Sequence, residues 1–160
     1  MSMLFVLTLL MVMSVALVLF LNQQLDTATA VAARQVLNGT VQKAGYGSAD
    51  FRTNSVCAAL PAAFSCPDVI INLQTVDAKP GSTGYYAFVT SGATGLVLPA
   101  LTNNTPQYSP GVQGSYEYLQ ILYPITFLPA IVTRLLSNQT YNGAPAYLAV
   151  ATAAFRNEQY

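Results

Sequence analysis

The sequence predicts an α+β fold: a long N-terminal helix packed on a small antiparallel sheet. Three observations carry that prediction. Residues 3–21, MLFVLTLLMVMSVALVLFL, contain no charge, no Gly and no Pro. The next segment, NQQLDTATAVAARQVLNGTVQKAG, keeps a helical period with small side chains. Further on, β-branched and aromatic residues alternate in short runs separated by turn-forming clusters. A helix followed by a run of strands is an α+β order.

The first element is read as helix from residue 1 to about 44. Its apolar part spans about 28 Å at ~1.5 Å per residue, close to the ~30 Å hydrocarbon core of a bilayer. Residues 1–22 are therefore assigned as the transmembrane half and 23–45 as the stalk half, with 46–160 forming the globular domain. In the stalk, Leu25, Ala28, Ala32 and Val36 recur at helical spacing, and Ala33, Leu37 and Ala44 widen the stripe. Gly39 weakens the helix mildly, and GYGS at 45–48 stops it.

Within 49–68, SVCAALPAAF predicts a short helix broken near Pro61. VIINLQTV at 69–76 reads as a strand, AKPGSTG at 78–84 as a turn, and YYAFVT at 85–90 as a second strand closing an antiparallel hairpin. Residues 91–114 form a long Gly-, Pro-, Ser- and Thr-rich excursion, with a short element near Leu96–Leu98. SYEYLQILYPIT at 115–126 predicts the central strand. Tyr116, Tyr118, Gln120 and Leu122 share one face; Glu117, Leu119, Ile121 and Tyr123 share the other. FLPAIVTRLLSN at 127–138 predicts a short helix, TYNGAP a turn, and residues 146–160 the last of about four strands.

Composition excludes several functions. Six Lys and Arg balance six Asp and Glu, which leaves no electrostatic footprint for nucleic acid and no polybasic patch for anionic lipid. The chain has no His, the commonest general base and metal ligand. No phosphate-binding Gly loop, metal-ligand cluster or nucleophile elbow occurs, and the scattered carboxylates form no acid–base pair. No catalytic residue, cofactor or metal is expected.

Cys57 and Cys66, in CAALPAAFSC, are close together, even in number and past a membrane segment. A disulfide in an oxidising compartment is the favoured reading, with two buried free thiols as the alternative; zinc would need further ligands. Oxidised cysteines place everything after Leu21 outside the cytoplasm. The positive-inside rule then calls for basic residues before the apolar run, whereas the first basic residue is Arg34. A basic leader removed from the chain, or a reading frame that begins upstream, meets that expectation. The rival, a signal peptide cleaved after Ala32, puts cleavage roughly ten residues past the apolar run, further than an ordinary cleavage region lies.

Four stretches, in order, carry a resemblance. AARQVLNGTVQ at 32–42 is similar to a stalk with Ala-Ala-Arg and a following Gly. FRTNSVC…SC at 51–66 is similar to a Phe-Arg…Cys…Cys segment before an apolar strand. YSPG at 108–111 precedes a strand ending in YPITFLP. ATAAFRNEQY at 151–160 is similar to a closing Phe-Arg-Asn-Glu-Pro-aromatic, with Gln159 in place of the Pro. In these the chain resembles the TadE-like family, minor pseudopilins of the tight-adherence (Tad) branch of type IV pili. Phe5 stands where a mature pilin beginning at Met1 would carry a Glu.

The resemblance implies a non-enzymatic minor pilin. It would sit in the bacterial inner membrane by residues 3–21 with its domain in the periplasm, and take part in initiation or at the tip of an adhesive pilus. It implies other pilins and the assembly platform as partners. The alternative is an adhesin or envelope receptor whose 91–114 loop meets a surface ligand. One structural contact is expected beside these. Arg34 is either a solvated or snorkelling side chain or an ion-pair partner of Glu158 or Glu117, with Arg156 two residues from Glu158 on the same face of the last strand. The late tyrosines are expected mainly to pack on sheet faces, with an exposed aromatic binding surface as the alternative.

Overall fold

A computed structural model describes residues 2–76, 79, 84, 86, 89–90, 107–129, 132–134, 137 and 139–158. The first helix, α1, runs from Ser2 to Leu37 without interruption, 36 residues or roughly 54 Å at ~1.5 Å each. It ends earlier than the sequence predicts. Gly39 adopts φ +70°, a left-handed conformation that a β-carbon disfavours, and the chain turns into a separate short helix, α2, at Thr40–Ala44. The break explains why Ala44, placed in the apolar stripe by periodicity, is exposed. Gly45, at φ +64°, then closes α2 at the predicted stop.

A third short helix, α3, covers Ser48–Asp50. It continues as a π turn over Phe51–Val56 and a 3-10 turn over Cys57–Ala59. The wider π turn still buries Phe51, Ser55 and Val56. The chain leaves helical geometry at Leu60, beside Pro61. A second 3-10 turn, Cys66–Asp68, leads into the sheet.

The sheet has five strands: β1 Ile70–Val76, β2 Gln107–Tyr108, β3 Tyr116–Ile125, β4 Gln139–Tyr141 and β5 Ala144–Arg156. Their order is β2-β1-β3-β5-β4, so β3 is central as expected. Every pairing is antiparallel except the short β2 on β1, which makes the sheet mixed. Two of the five, β2 and β4, are not among the strands that the sequence predicts. β2 is anchored where the Ser109 amide donates to Leu73 O at 3.0 Å or less (2.9 Å). β4 joins β5 through Asn142 and Gly143, both at positive φ, the backbone of an Asn-Gly hairpin turn. β5 consequently starts at Ala144 rather than 146. The predicted strand at 85–90, its hairpin, the turn at 78–84 and the element near Leu96–Leu98 lie largely outside the described residues; Tyr86 is in a turn and Val89 makes an isolated bridge. Of the predicted 127–138 helix, 132–134 are helical, and the Thr133 amide donates to Pro129 O at 3.0 Å.

Strand alternation builds the core. The inward residues of β3, Leu119, Ile121, Tyr123 and Ile125, are buried against Ile71 and Leu73 of β1 and Ala149 and Ala151 of β5. Onto this face α1 lays Leu21, Leu25, Ala32, Ala33 and Val36, and its main contact is β5. The small side chains on both sides, Ala28, Ala32 and Ala33 facing a strand of alternating Ala, bring helix and strand close together. Tight packing of this kind is intolerant of added volume. The opposite sheet face carries a second cluster of Ile70, Leu122, Tyr141 and Ala146.

Candidate functional site

α1 divides into two halves of opposite character. From Met3 to Leu17 every residue except Ser14 is exposed, and Met3 reaches 80%. From Val18 onward one stripe enters the core. A bare face of Leu, Val, Met and Phe is unfavourable in water at about 25 cal/mol per Å² of apolar surface, so this half requires an apolar surrounding. The two polar side chains within the run are neutralised locally: Thr8 donates to Phe5 O and Ser14 to Leu10 O, both at 2.8 Å. Such back-bonding satisfies a hydroxyl without water. The helix fits a single-pass membrane anchor.

The anchor is joined to the domain without a linker. Asn22, the first polar residue after the run, donates to Val18 O at 3.0 Å and to the Tyr147 hydroxyl of β5 at 3.4 Å. At the far end, the Glu158 amide donates to Leu37 O at 3.0 Å. α1 and β5 therefore run side by side in the same direction, and the residues just past β5 cap one of the carbonyls left open at the C-terminus of α1.

The sequence leaves Arg34 either solvated or snorkelling, or paired with Glu158 or Glu117. Arg34 and Glu158 are both exposed, and among the described residues no ion pair joins them. Arg156 turns elsewhere: its Nε donates to Gly114 O at 3.0 Å, and its guanidinium lies 5.5 Å from the centre of the Tyr116 ring. Glu117, the other proposed partner of Arg34, is only 2% exposed. Its Oε1 accepts from Ser115 Oγ at 2.8 Å, Asn157 Nδ2 at 3.4 Å and Thr75 Oγ1 at 3.5 Å, while Oε2 has no partner. Burial pushes the Glu117 carboxyl above the usual carboxylate range, against the opposing pull of hydrogen bonds from Ser115, the Gly111 backbone and Thr75. Asn157 holds the cradle together, donating also to Gly111 O and Val112 O at 3.3 Å. The alternation of β3 contained the signal for this burial, since it put Glu117 on the face of Leu119 and Ile121.

Cys57 and Cys66 form the disulfide, with Cα atoms 5.8 Å apart. The loop it closes is pinned to the sheet: Phe64 packs on Tyr123 with ring centres 4.7 Å apart, and the Ser65 amide donates to the Tyr123 hydroxyl at 3.1 Å. The tyrosines follow the packing expectation at several positions. Tyr108 lies 5.6 Å from Phe51 and donates to Tyr46 O at 3.0 Å; burial, then the Asp50 charge, push its phenol up to about 12. Tyr86 is exposed. An amide ladder that sequence reasoning missed crosses the outer face: Gln74 donates to Asn72 at 2.8 Å and to Gln107, and Asn72 donates to Gln120 at 3.3 Å. No group of three or more acidic or Cys side chains is placed to hold a metal among the described residues.

Compared with known proteins, the chain matches no protein-family model, no curated protein and no solved structure.

Proposed function

We propose that this chain is a minor pilin or pseudopilin with a structural role in assembling a Tad-type pilus, at its initiation or tip complex. The observation that carries the reading is the continuity of α1: one uninterrupted helix is bare and apolar over one half and packed on a small mixed sheet over the other. A helix so built can exchange a lipid surrounding for a bundle of like helices without unfolding, because both surroundings are apolar and its backbone bonds are internal. The four stretches that resemble TadE-like motifs, from Ala32 to the Phe155-Arg156-Asn157-Glu158 ending, support the same reading. The disulfide supports an oxidising location for the domain, hence a bacterial inner-membrane protein with a periplasmic C-terminal part. Its partners in this reading are other pilins and the assembly platform; no cofactor takes part.

Deletion and complementation in the source organism test the proposal. Loss of pili, restored by the wild-type gene, is the expected result. Normal pili with lost attachment would replace it with the adhesin reading, and normal pili with normal attachment would overturn both.

A further inference from the structure

The end of the domain nearest the bare helix has a surface of its own. The apolar run ends at Leu21, and Asn22, Gln23, Gln24 and Asp26 follow, so the hydrocarbon boundary falls near Asn22. Domain contacts begin earlier, at Val18 and Leu21, about one helical turn on the hydrocarbon side of that boundary.

The strands show what else lies at this level. Tyr147 of β5 meets Asn22 at 3.4 Å through its hydroxyl and pairs in register with Ile125, the last residue of β3. β3 is antiparallel to β5 and so points toward the N-terminal half of α1. Thr126, Phe127 and Leu128 continue past Ile125 in that direction. Leu128 is buried in the same cluster as Val18 and Leu21, while Phe127 points outward and is 57% exposed.

We propose that this edge, centred on Phe127, is a membrane-contact surface that seats the domain on the bilayer, with the Phe127 ring at the junction of headgroups and acyl chains. The inference rests on the anchoring part of the proposed function and adds a second point of attachment to it. The occupant is lipid because the edge is continuous with the anchor itself. Phe127 lies two residues past Ile125, whose strand partner Tyr147 bonds Asn22, so its exposed ring stands at the depth where the helix enters the bilayer. Aromatic rings are enriched at this level of a bilayer, where the apolar body can turn inward. Two attachment points, α1 and Phe127, hold the domain in one orientation, where a single helix alone would leave it free to rotate about the helix axis.

The chain contains no Trp, so single introduced tryptophans report their surroundings without background. Phe127→Trp, Phe5→Trp in the anchor and Val112→Trp at the opposite end of the domain, 77% exposed, are each made in the full chain. Each is reconstituted in phosphatidylcholine–phosphatidylglycerol vesicles with and without acyl chains brominated near the headgroup. The expected result is that Phe127→Trp emits toward the blue and loses more than half of its emission to the brominated lipid, as Phe5→Trp does, while Val112→Trp keeps its emission. Quenching of Phe5→Trp without quenching of Phe127→Trp would overturn the contact surface and leave the anchor standing. Blue-shifted but unquenched emission from Phe127→Trp would mean that protein covers the ring, which also overturns it. An unquenched Phe5→Trp would overturn the anchor and this surface together.

Discussion

Gly111→Ala isolates the Glu117 cradle. Gly111 is not among the glycines at positive φ, so alanine suits its backbone and the perturbation is steric alone. An added Cβ would overlap Glu117 Oε1 and Ser115 Oγ and lie 3.0 Å from Glu117 Cδ, against an ordinary carbon–carbon contact of about 3.5–4.0 Å. Glu117 is buried, so its carboxyl must shift within a packed site to admit the methyl. Displacing it loses the bond from Ser115 and the one from the Gly111 amide. Hydrogen bonds to a charged group contribute about 1.5–3 kcal/mol each, and part of that returns through relaxation, which leaves a loss of about 3 kcal/mol. In a domain of this size that lowers Tm by roughly 10 °C. The assay is thermal unfolding of the full chain in a mild detergent, followed by circular dichroism. On a Glu117→Ala background the obstructing carboxyl is gone and the Ser115 hydroxyl can rotate away, so Gly111→Ala should cost much less there. A Tm unchanged by Gly111→Ala, or an equal cost on both backgrounds, would refute the steric account.

Other outcomes follow from the same contacts. The folded pKa of Glu117 lies above its unfolded value, so its contribution to stability is complete below the unfolded carboxylate range and is lost as pH rises through the folded value. Glu117→Gln should therefore gain stability relative to wild type as pH rises from about 4.5 toward neutrality; parallel Tm–pH curves would show that the buried charge is not the cost. Reducing the disulfide, or Cys57→Ser with Cys66→Ser, should destabilise the domain by about 2–3 kcal/mol, the chain-entropy value for so short a loop, measured by denaturant unfolding; an unchanged midpoint contradicts it. A double-mutant cycle at Arg34 and Glu158 should give a coupling below about 0.5 kcal/mol, as for exposed charges; a coupling several times larger would establish the ion pair.

The stripe Leu25, Ala28, Ala32 and Val36 was legible because one helix face meets one sheet, and all four residues are buried. β3 was equally plain: all ten of its residues pair with β5, and Tyr116–Leu122 pair with β1 as well. What escaped reading depends on distant chain. β2 is two residues in a Pro- and Ser-rich stretch, and nothing local shows that Asn72 and Leu73 will pair with it in parallel. β4 is three residues long and owes its existence to the Asn142–Gly143 turn, which was recognised while the strand before it was not. At Gly39 a residue judged a mild weakness proved to be the end of the helix, because the left-handed turn there lets α2 fold back and Val41 enter the core. At Glu158 the bond that forms runs from its N–H to Leu37 O, a backbone contact that residue types do not advertise.

The central claim is that the bare half of α1 moves from lipid into a bundle of other subunits. In-cell photo-crosslinking from Val12, exposed on that half, tests it most directly. The account predicts adducts with other pilin subunits in cells that assemble pili, and their disappearance when the assembly ATPase is inactivated. The absence of protein adducts in piliated cells, with the helix crosslinked to lipid alone, would contradict it.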